Sequence, residues 1–189
     1  MQNITRLFDF PYYQLEHFNL PDALVTKYDN EWVKTSTQEY INKANALSRA
    51  LLNLGIQKND KIAIISSNNR TEWHISDVGI LQVGAQNIPI YPTISSEDYE
   101  YILNHSEAKY CFVSDQVVYD KLKEVQSRIP LLIDIYSFNE ISGCKKWNDL
   151  LETGSDTSNQ NVVEERKNNV LATDLATIIY TSGTTGRPK

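Results

Sequence analysis

Short apolar runs alternate with amphipathic segments along most of the chain. The runs are rich in β-branched and aromatic residues and lie at 61–66 (KIAIIS), 86–91 (QNIPIY), 109–114 (KYCFVS) and 131–136 (LLIDIY). The intervening segments have helical spacing, at about 71–83, 95–105 and 115–128. Strands that are apolar almost throughout and separated by helices are typical of βαβ crossovers, in which a largely parallel sheet carries helices on both faces. The pattern therefore predicts an α/β fold, although it does not give the strand order.

Local signals near the start of the chain predict a hairpin followed by a helix. Two strand-like runs surround Asp29-Asn30, a pair typical of tight turns, and predict a β-hairpin. Ser36 and Glu39 form a Ser-x-x-Glu capping box, after which apolar residues recur at helical spacing until Gly55 stops the helix. The first twenty residues are rich in aromatic side chains and are expected to form a helix or an irregular segment packed on the domain.

The pattern changes towards the end of the chain. Residues 151–170 are polar and almost free of large apolar side chains, which predicts a solvated connection. Leu175 to Tyr180 then reads as a last strand, with a loop at its carboxyl end, where ligands bind in open α/β sheets. The expected organisation is one partial domain over 1–189, with a peripheral segment (1–20), an α/β core (21–150), the polar connection (151–170) and a strand with a loop (171–189).

Composition narrows the classes of function. With 189 residues, 41% hydrophobic and 22% charged, the chain can form one globular domain with a real core. Its net charge of -6 and lack of basic runs argue against nucleic acid as a partner. The N-terminus has no uninterrupted apolar segment for secretion, and no stretch approaches the roughly 20 apolar residues that span a bilayer. We therefore expect a cytoplasmic protein.

The cysteines and histidines offer no catalytic or metal-binding pattern. Cys111 and Cys144 lack metal-type spacing, and Cys111 lies in a predicted strand, so a buried free thiol in a reducing compartment is expected. His17, His74 and His105 lie far apart in the sequence and have no carboxylate or cysteine partner at ligand spacing. They are interpreted as surface or packing residues.

The stretch YTSGTTGRPK, residues 180–189, has the composition of a phosphate-binding loop. Hydroxyl groups come from Thr181, Ser182, Thr184 and Thr185. Gly183 and Gly186 allow positive φ, so that backbone N–H groups can turn inward and form an anion-binding nest. Lys189 adds a full positive charge, and Pro188 stiffens the stem that presents it. A flexible surface turn is the alternative interpretation of so many small polar residues.

This loop does not match the Walker A motif, Gly-x-x-x-x-Gly-Lys-Ser/Thr. Its glycines are three residues apart, and its lysine follows the second glycine only after Arg187-Pro188. The proline also argues against a helix that begins at the lysine, so a phosphate cradle at a helix N-terminus is not indicated. The pattern therefore argues against a P-loop NTPase.

The same ten residues closely resemble the phosphate-loop signature of the adenylate-forming (AMP-binding) enzymes, with Arg187 at a position that the family leaves variable. Upstream, Ser67 to Asp115 resembles long-chain fatty acyl-CoA synthetases, chiefly through the pieces NNRTEW, IPIYPT and YILNHSEAK. The likeness covers about residues 20–189. It implies the N-terminal portion of the large domain of such an enzyme.

The resemblance implies a two-step reaction. A carboxylate attacks the α-phosphate of ATP and expels pyrophosphate, and the thiol of coenzyme A then displaces AMP from the acyl-adenylate. Thr181, Ser182, Gly183, Thr184, Thr185 and Gly186 would bind the β- and γ-phosphates of ATP. Lys189 would be the catalytic residue that neutralises the departing pyrophosphate, and the Thr184 hydroxyl would lie nearest Mg²⁺. ATP, Mg²⁺ and coenzyme A are the implied cofactors and co-substrates, and a fatty acid is the implied substrate.

Other parts of the family's site are missing from this sequence. These are the acidic residue that binds Mg²⁺, the aspartate that holds the ribose, the hinge and the lysine of the C-terminal domain. The sequence is therefore expected to be an N-terminal fragment, inactive alone, of an active long-chain fatty acid–CoA ligase. Two alternatives stay open: a ligase for another carboxylate, such as a medium-chain or aryl acid, and a non-catalytic nucleotide-binding or interaction domain. Peripheral membrane contact and homo-oligomerisation of the parent also stay open.

Overall fold

The computed structural model describes residues 4–181, which contain seven helices and seven strands. The helices are α1 (Asp9–Phe18), α2 (Thr37–Asn53), α3 (Thr71–Gln82), α4 (Ser96–Ser106), α5 (Gln116–Val125), α6 (Trp147–Thr153) and α7 (Gln160–Asn168). The strands are β1 (Leu24–Tyr28), β2 (Glu31–Thr35), β3 (Lys61–Ile65), β4 (Gln86–Ile90), β5 (Ala108–Val113), β6 (Asp134–Ser137) and β7 (Lys145–Lys146). Short 3-10 helices lie at Gln126–Arg128 and Thr157–Asn159.

The described residues divide into two compact units. The first, which we call the helical unit, comprises residues up to 58 together with 69–85 and 150–176. The second, which we call the sheet unit, comprises 59–68, 86–149 and the segment from 177 onward. Each unit has its own cluster of buried apolar side chains.

The hairpin and capping box predicted in the helical unit are confirmed. β1 and β2 pair antiparallel, and both Asp29 (φ 46°) and Asn30 (φ 71°) take the positive φ that a two-residue hairpin turn favours. The Ser36 hydroxyl accepts the Glu39 N–H at 3.2 Å, and the Glu39 carboxylate accepts the Ser36 N–H at 2.8 Å. α2 therefore begins where the sequence indicates, and Gly55 follows its end with a φ of 80°.

The core of the helical unit forms where α1, α2 and α3 meet. Phe8, Ala44, Val78 and Leu81 are buried together. The N-terminal segment is thus a helix packed on the domain, one of the two forms expected. α2 and α3 approach closely because Gly79 has no side chain; a Cβ there would lie 3.0 Å from the Leu47 side chain.

The segment expected to be a polar connection, residues 151–170, contains the end of α6 and all of α7. The helix α7 leaves little hydrophobic pattern in the sequence, because it is strongly polar and buries only Val163 and Lys167. The position of both helices depends on distant partners: the Arg49 side chain donates from Nε to the Gly154 carbonyl at 2.7 Å. A Cβ on Gly154 would lie 1.9 Å from the Ala46 carbonyl oxygen, so this approach requires glycine.

The sheet unit contains a five-stranded, entirely parallel sheet in the order β4-β3-β5-β6-β7. α4 and α5 contribute Tyr99, Ile102, Leu103, Val118 and Leu122 to its core. The predicted α/β fold, with a parallel sheet flanked by helices, is confirmed. The observed strand order adds the information that hydrophobic periodicity lacks.

Two predicted strands differ from the structure. β6 begins at Asp134 instead of residue 131, and Leu131 and Ile133 lie exposed before it, so the apolar run extends beyond the paired strand. The predicted strand from Leu175 to Tyr180 is reduced, within the described chain, to one parallel bridge between Thr177 and Asn87. This segment lies beside β4 at the sheet edge, where it has a pairing partner on one side.

Candidate functional site

The candidate site is the edge of the sheet unit at which the parallel strands end. The segment that begins at Thr177 pairs parallel with β4 at Asn87, and its described residues therefore run towards the carboxyl edge of the sheet. Thr181, the first predicted phosphate-binding residue, is exposed and is the last described residue. The other predicted site residues, Ser182, Gly183, Thr184, Thr185, Gly186 and Lys189, lie outside the described residues. Their roles remain predictions.

The first anchor of the segment is Asn87 in β4. The Ile178 N–H donates to the Asn87 carbonyl oxygen at 3.2 Å, and the Thr177 hydroxyl donates to the same oxygen at 2.8 Å. Asn87 is itself buried, so the acceptor is fixed in the sheet. The direction of the chain before the predicted loop is therefore determined by β4.

The second anchor is a contact between Tyr180 and His105. The Tyr180 hydroxyl lies 2.7 Å from Nδ1 of His105, and the two rings meet edge to face with their centroids 5.7 Å apart. The His105 ring also stacks on Tyr101, at 5.6 Å and 27°. Tyr180 belongs to the apolar core of the sheet unit, and this burial raises the pKa of its hydroxyl. It therefore stays neutral, with its hydroxyl proton in place.

Sequence reasoning treated His105 as a surface or packing residue and missed this contact. The side chain is exposed and packs on Tyr101, as expected, but its ring nitrogen also meets a tyrosine 75 residues away. The available signal was its place near the end of a capped helix that precedes a strand. That signal identifies the edge of the sheet on which His105 lies, but not its partner.

The loop after β4, which carries the second half of the IPIYPT piece, is held by side chains of α4 and α5. Tyr99 donates its hydroxyl to the Pro92 carbonyl at 2.9 Å. The Lys121 ammonium donates to the same oxygen at 3.3 Å and to the Ile94 carbonyl at 3.1 Å. These contacts fix the loop at the carboxyl edge, next to the strand that orients residues 177–181.

Ser114 and Asp115 follow β5 at the same edge of the sheet. Ser114 accepts the Ser67 N–H at 2.9 Å and donates its hydroxyl to the Asp115 carboxylate at 2.6 Å. Asp115 also accepts the Val118 N–H at the start of α5. Burial alone would raise the pKa of Asp115, but the hydrogen bonds from Ser114, Ser67 and Val118 lower it overall. Asp115 is thus an ionised helix cap whose oxygens already have donors.

The described residues offer no ready metal centre. Among residues 4–181, no group of three or more histidine, cysteine or acidic side chains is arranged to hold a metal ion. Cys111 and Cys144 are free, and the expected burial of the Cys111 thiol is confirmed. Burial raises the pKa of both thiols, that of Cys144 to about 11, so neither is an activated nucleophile.

The NNRTEW piece has a structural role in the helical unit at the start of α3. Arg70 donates to both oxygens of the Glu72 carboxylate, at 3.0 and 2.8 Å, and Tyr28 donates its hydroxyl to the same carboxylate. Burial, followed by the neighbouring Glu72, raises the pKa of Tyr28 to about 12. The Thr71 N–H donates to the Thr26 hydroxyl at 2.9 Å, which completes the attachment of the hairpin to α3.

The helical unit also contains an open, mainly apolar cavity of about 370 Å³. Its wall includes Phe8, Phe10, Leu81, Leu171 and Leu175, and of these Phe10, Leu171 and Leu175 are largely exposed. None of the helices in the described part of the chain combines the length and the apolar character needed to cross a bilayer.

Comparisons with known proteins place this chain in a family. The family model described as AMP-binding enzyme matches residues 16–189. The long-chain-fatty-acid–CoA ligase FadD15 of Mycobacterium bovis is 35% identical over 161 residues, which are 85% of this chain and 26% of the relative. The human long-chain-fatty-acid–CoA ligase ACSBG2 is 29% identical over 183 residues, which are 93% of this chain and 27% of the relative.

A solved structure agrees with these sequence matches at the level of the fold. The anthranilate CoA ligase AuaEII in complex with anthranoyl-AMP superposes with a TM-score of 0.74 at 21% identity, covering 96% of this chain and 33% of that chain. The chain thus spans about a quarter of the length of the curated relatives that it matches.

Proposed function

The chain belongs to the AMP-binding enzyme family, and we propose that it is the N-terminal part of an ATP-dependent long-chain fatty acid–CoA ligase. The observation that carries this proposal is the 35% identity to a mycobacterial long-chain-fatty-acid–CoA ligase across 85% of the chain. The proposed reaction converts a fatty acid, ATP and coenzyme A into acyl-CoA, AMP and pyrophosphate.

The proposed chemistry has two substitutions. A carboxylate oxygen of the fatty acid attacks the α-phosphorus of ATP, the bond to pyrophosphate breaks, and an acyl-adenylate forms. The sulfur of coenzyme A then attacks the acyl carbonyl, AMP leaves, and the thiol proton is released. In both steps the protein mainly positions the reactants and stabilises developing charge.

Within this reaction, the loop from Thr181 to Gly186 would bind the β- and γ-phosphates through hydroxyl and backbone N–H groups. Lys189 would neutralise the pyrophosphate as it leaves. The proposal is supported by the direction of the segment 177–181, which runs parallel to β4 towards the carboxyl edge of the sheet.

Magnesium is proposed only as a partner of the ATP phosphates. The described residues lack a cluster of metal ligands, and Mg²⁺ in nucleotide sites usually needs only one or two protein ligands besides phosphate and water. The Thr184 hydroxyl is the proposed protein ligand of this chain. When bound, the ion would supply charge neutralisation on the phosphates.

The apolar cavity of the helical unit supports a longer protein over a stand-alone nucleotide-binding domain. Its exposed wall residues Phe10, Leu171 and Leu175 form an apolar surface of the kind that is normally covered. We propose that the protein acts in the cytoplasm, and that Phe18 of α1, which is exposed and lies outside this cavity, is its residue for contact with a membrane surface.

Fatty-acid-dependent exchange between ATP and pyrophosphate tests the proposed function. The longest natural reading frame that contains this sequence should catalyse exchange with palmitate, whereas the 189-residue chain should not. In the longer protein, Lys189→Ala should lower exchange roughly 100- to 1,000-fold, as for the loss of one charged donor in a preorganised site. Arg187→Ala is the matched control, because it removes the same charge two residues away and should retain most of the activity.

Other carboxylates provide the contrary outcome. Exchange with benzoate or anthranilate but not with palmitate would replace the long-chain assignment with that of an aryl-acid ligase. The structural similarity to an anthranilate CoA ligase makes this comparison informative. Exchange by the 189-residue chain itself, above that of its own Lys189→Ala variant, would contradict the expectation that it is incomplete.

A further inference from the structure

We infer that His105 is a positioning residue for the phosphate-binding loop, acting through the hydroxyl of Tyr180. The inference rests on the proposed function of that loop. It assigns to the YILNHSEAK piece a role at the site, which His105 exerts through Tyr180.

The segment that leads to the loop is joined to the sheet first by its backbone and then by side chains. The bridge to β4 lies at Thr177, and the Ile178 N–H still bonds to Asn87. Beyond that point, in the part of the chain that the structure describes, the attachment passes to side chains. The Tyr180 hydroxyl meets Nδ1 of His105 at 2.7 Å, one residue before Thr181. A side-chain contact thus replaces the ladder of hydrogen bonds at the point where the loop begins.

His105 is itself held in place by its helix and by its neighbours. It lies in the last turn of α4, a helix that buries Tyr99, Ile102 and Leu103 in the core. Asn104, the preceding residue, donates to the Arg128 carbonyl at 3.0 Å. Stacking on Tyr101 restricts the rotation of the imidazole ring. The ring nitrogen is therefore a fixed point against which Tyr180 can be placed.

Phosphate binding is sensitive to the position of the hydrogen-bond donors. Donors act on a developing charge only when they are held at hydrogen-bonding distance from it, and displacements of about 1 Å are costly. The loop residues follow Tyr180 directly in the chain, so an error in the position of Tyr180 passes to Thr181 and beyond. Removal of the contact should weaken phosphate binding without removing any group that touches phosphate.

The test uses two substitutions that delete the same hydrogen bond from opposite sides. Tyr180→Phe removes the hydroxyl and keeps the buried ring, whereas His105→Phe removes the ring nitrogens and keeps an aromatic ring on Tyr101. Tyr119→Phe is the matched control, because Tyr119 is equally exposed (7%), lies in the same core and donates its hydroxyl to the Gly143 carbonyl at 2.9 Å. All variants are made in the 189-residue chain.

Two readouts are measured on each variant by nuclear magnetic resonance. One is the affinity for inorganic pyrophosphate and for Mg·ATP, followed through the amide signals of the chain. The other is the hydrogen exchange rate of the Ile178 amide, supplemented in the variants that keep His105 by the nitrogen shifts of its ring. We expect Tyr180→Phe and His105→Phe each to weaken binding roughly three- to tenfold, the size of one neutral hydrogen bond. The double variant should be no weaker than either single one.

The same substitutions should speed exchange at Ile178, and Tyr180→Phe should shift the His105 ring nitrogens, whereas Tyr119→Phe should change none of these readouts. Unchanged phosphate affinity in Tyr180→Phe, or an equal loss in Tyr119→Phe, would overturn the inference and leave the proposed function intact. Absence of binding by the unsubstituted chain would count against phosphate binding by the loop of this chain alone, and would leave the function proposed for the longer protein intact. The exchange rate of Ile178 would then decide whether His105 positions this segment, and equal rates in all variants would overturn the inference as well.

Discussion

The hairpin and α2, near the start of the chain, are held by close neighbours in the sequence, whereas α6, α7 and the segment 177–180 are held by distant ones. Ser36 and Glu39, three residues apart, cap α2, because the side chain of each accepts the backbone N–H of the other. By contrast, Gly154 lies against Ala46 and is bonded by Arg49, which is 105 residues away. Tyr180 likewise meets His105 across 75 residues.

This difference shows which interactions determine the geometry of each region, local ones in the first and tertiary contacts in the second. A two-residue turn or a capping box restricts the backbone with interactions that exist even in a short segment. A polar helix such as α7 has a weak preference of its own, and it acquires its place only when the surface that receives it has formed. The second kind of region should therefore be more sensitive to substitutions at remote contacts.

The largest expected effect is at the remote contact of Gly154. Gly154→Ala places a Cβ 1.9 Å from the Ala46 carbonyl oxygen, so α2 and the end of α6 must separate. We expect a loss of about 3 kcal/mol in the free energy of unfolding, measured by urea denaturation. Gly143→Ala is the control. Its added Cβ meets open space, but the alanine must keep the positive φ of Gly143, which costs about 1 kcal/mol. Equal losses in both variants would contradict a contact-specific effect.

A smaller effect is expected at the local contact. Ser36→Ala removes the hydroxyl that accepts the Glu39 N–H and should lower the free energy of unfolding by about 1 kcal/mol. Gln38→Ala, an exposed substitution in the same first turn, should change it by less than about 0.5 kcal/mol. A loss at Ser36 as large as that at Gly154 would break the distinction between the two regions.

The smallest effect at neutral pH is expected where the hairpin meets α3. The pKa of Tyr28 is raised to about 12 by burial and by Glu72, so the neutral phenol is favoured in the folded state. Its contribution to stability is present below pH 10, the ordinary pKa of tyrosine, and is lost as the pH rises through 12. Tyr28→Phe should therefore flatten the decline of stability between pH 10 and 12, measured by denaturation at each pH.

Tyr91→Phe is the control for this pH series, since the Tyr91 side chain is largely exposed. At neutral pH, Tyr28→Phe should cost less than about 1 kcal/mol, the net value of one hydrogen bond. An unchanged alkaline decline in Tyr28→Phe would mean that folding does not raise the pKa of the Tyr28 hydroxyl.

Much of the fold could be predicted from the chain alone, but less of the site. The alternation of apolar runs and amphipathic segments predicted the parallel α/β fold, and the helix starts indicated at Ser36 and at about residues 95 and 115 are confirmed. Leu131 and Ile133 misled the placement of β6, because an apolar run does not reveal which of its residues are paired. The loop from Thr181 to Lys189 was recognised by its composition and by its resemblance to a family signature, and its phosphate contacts stay predictions.

The sequence by itself determined the elements whose geometry depends on neighbouring residues: the Asp29-Asn30 turn, the helix caps and the apolar strands. Tertiary structure alone decided the strand order, the placement of α7 and the contact of Tyr180 with His105. The physical reason is the distance along the sequence over which each interaction acts. Backbone torsion and capping act over a few residues and leave a pattern in the chain, whereas a contact across 75 residues exists only after the sheet has brought its partners together.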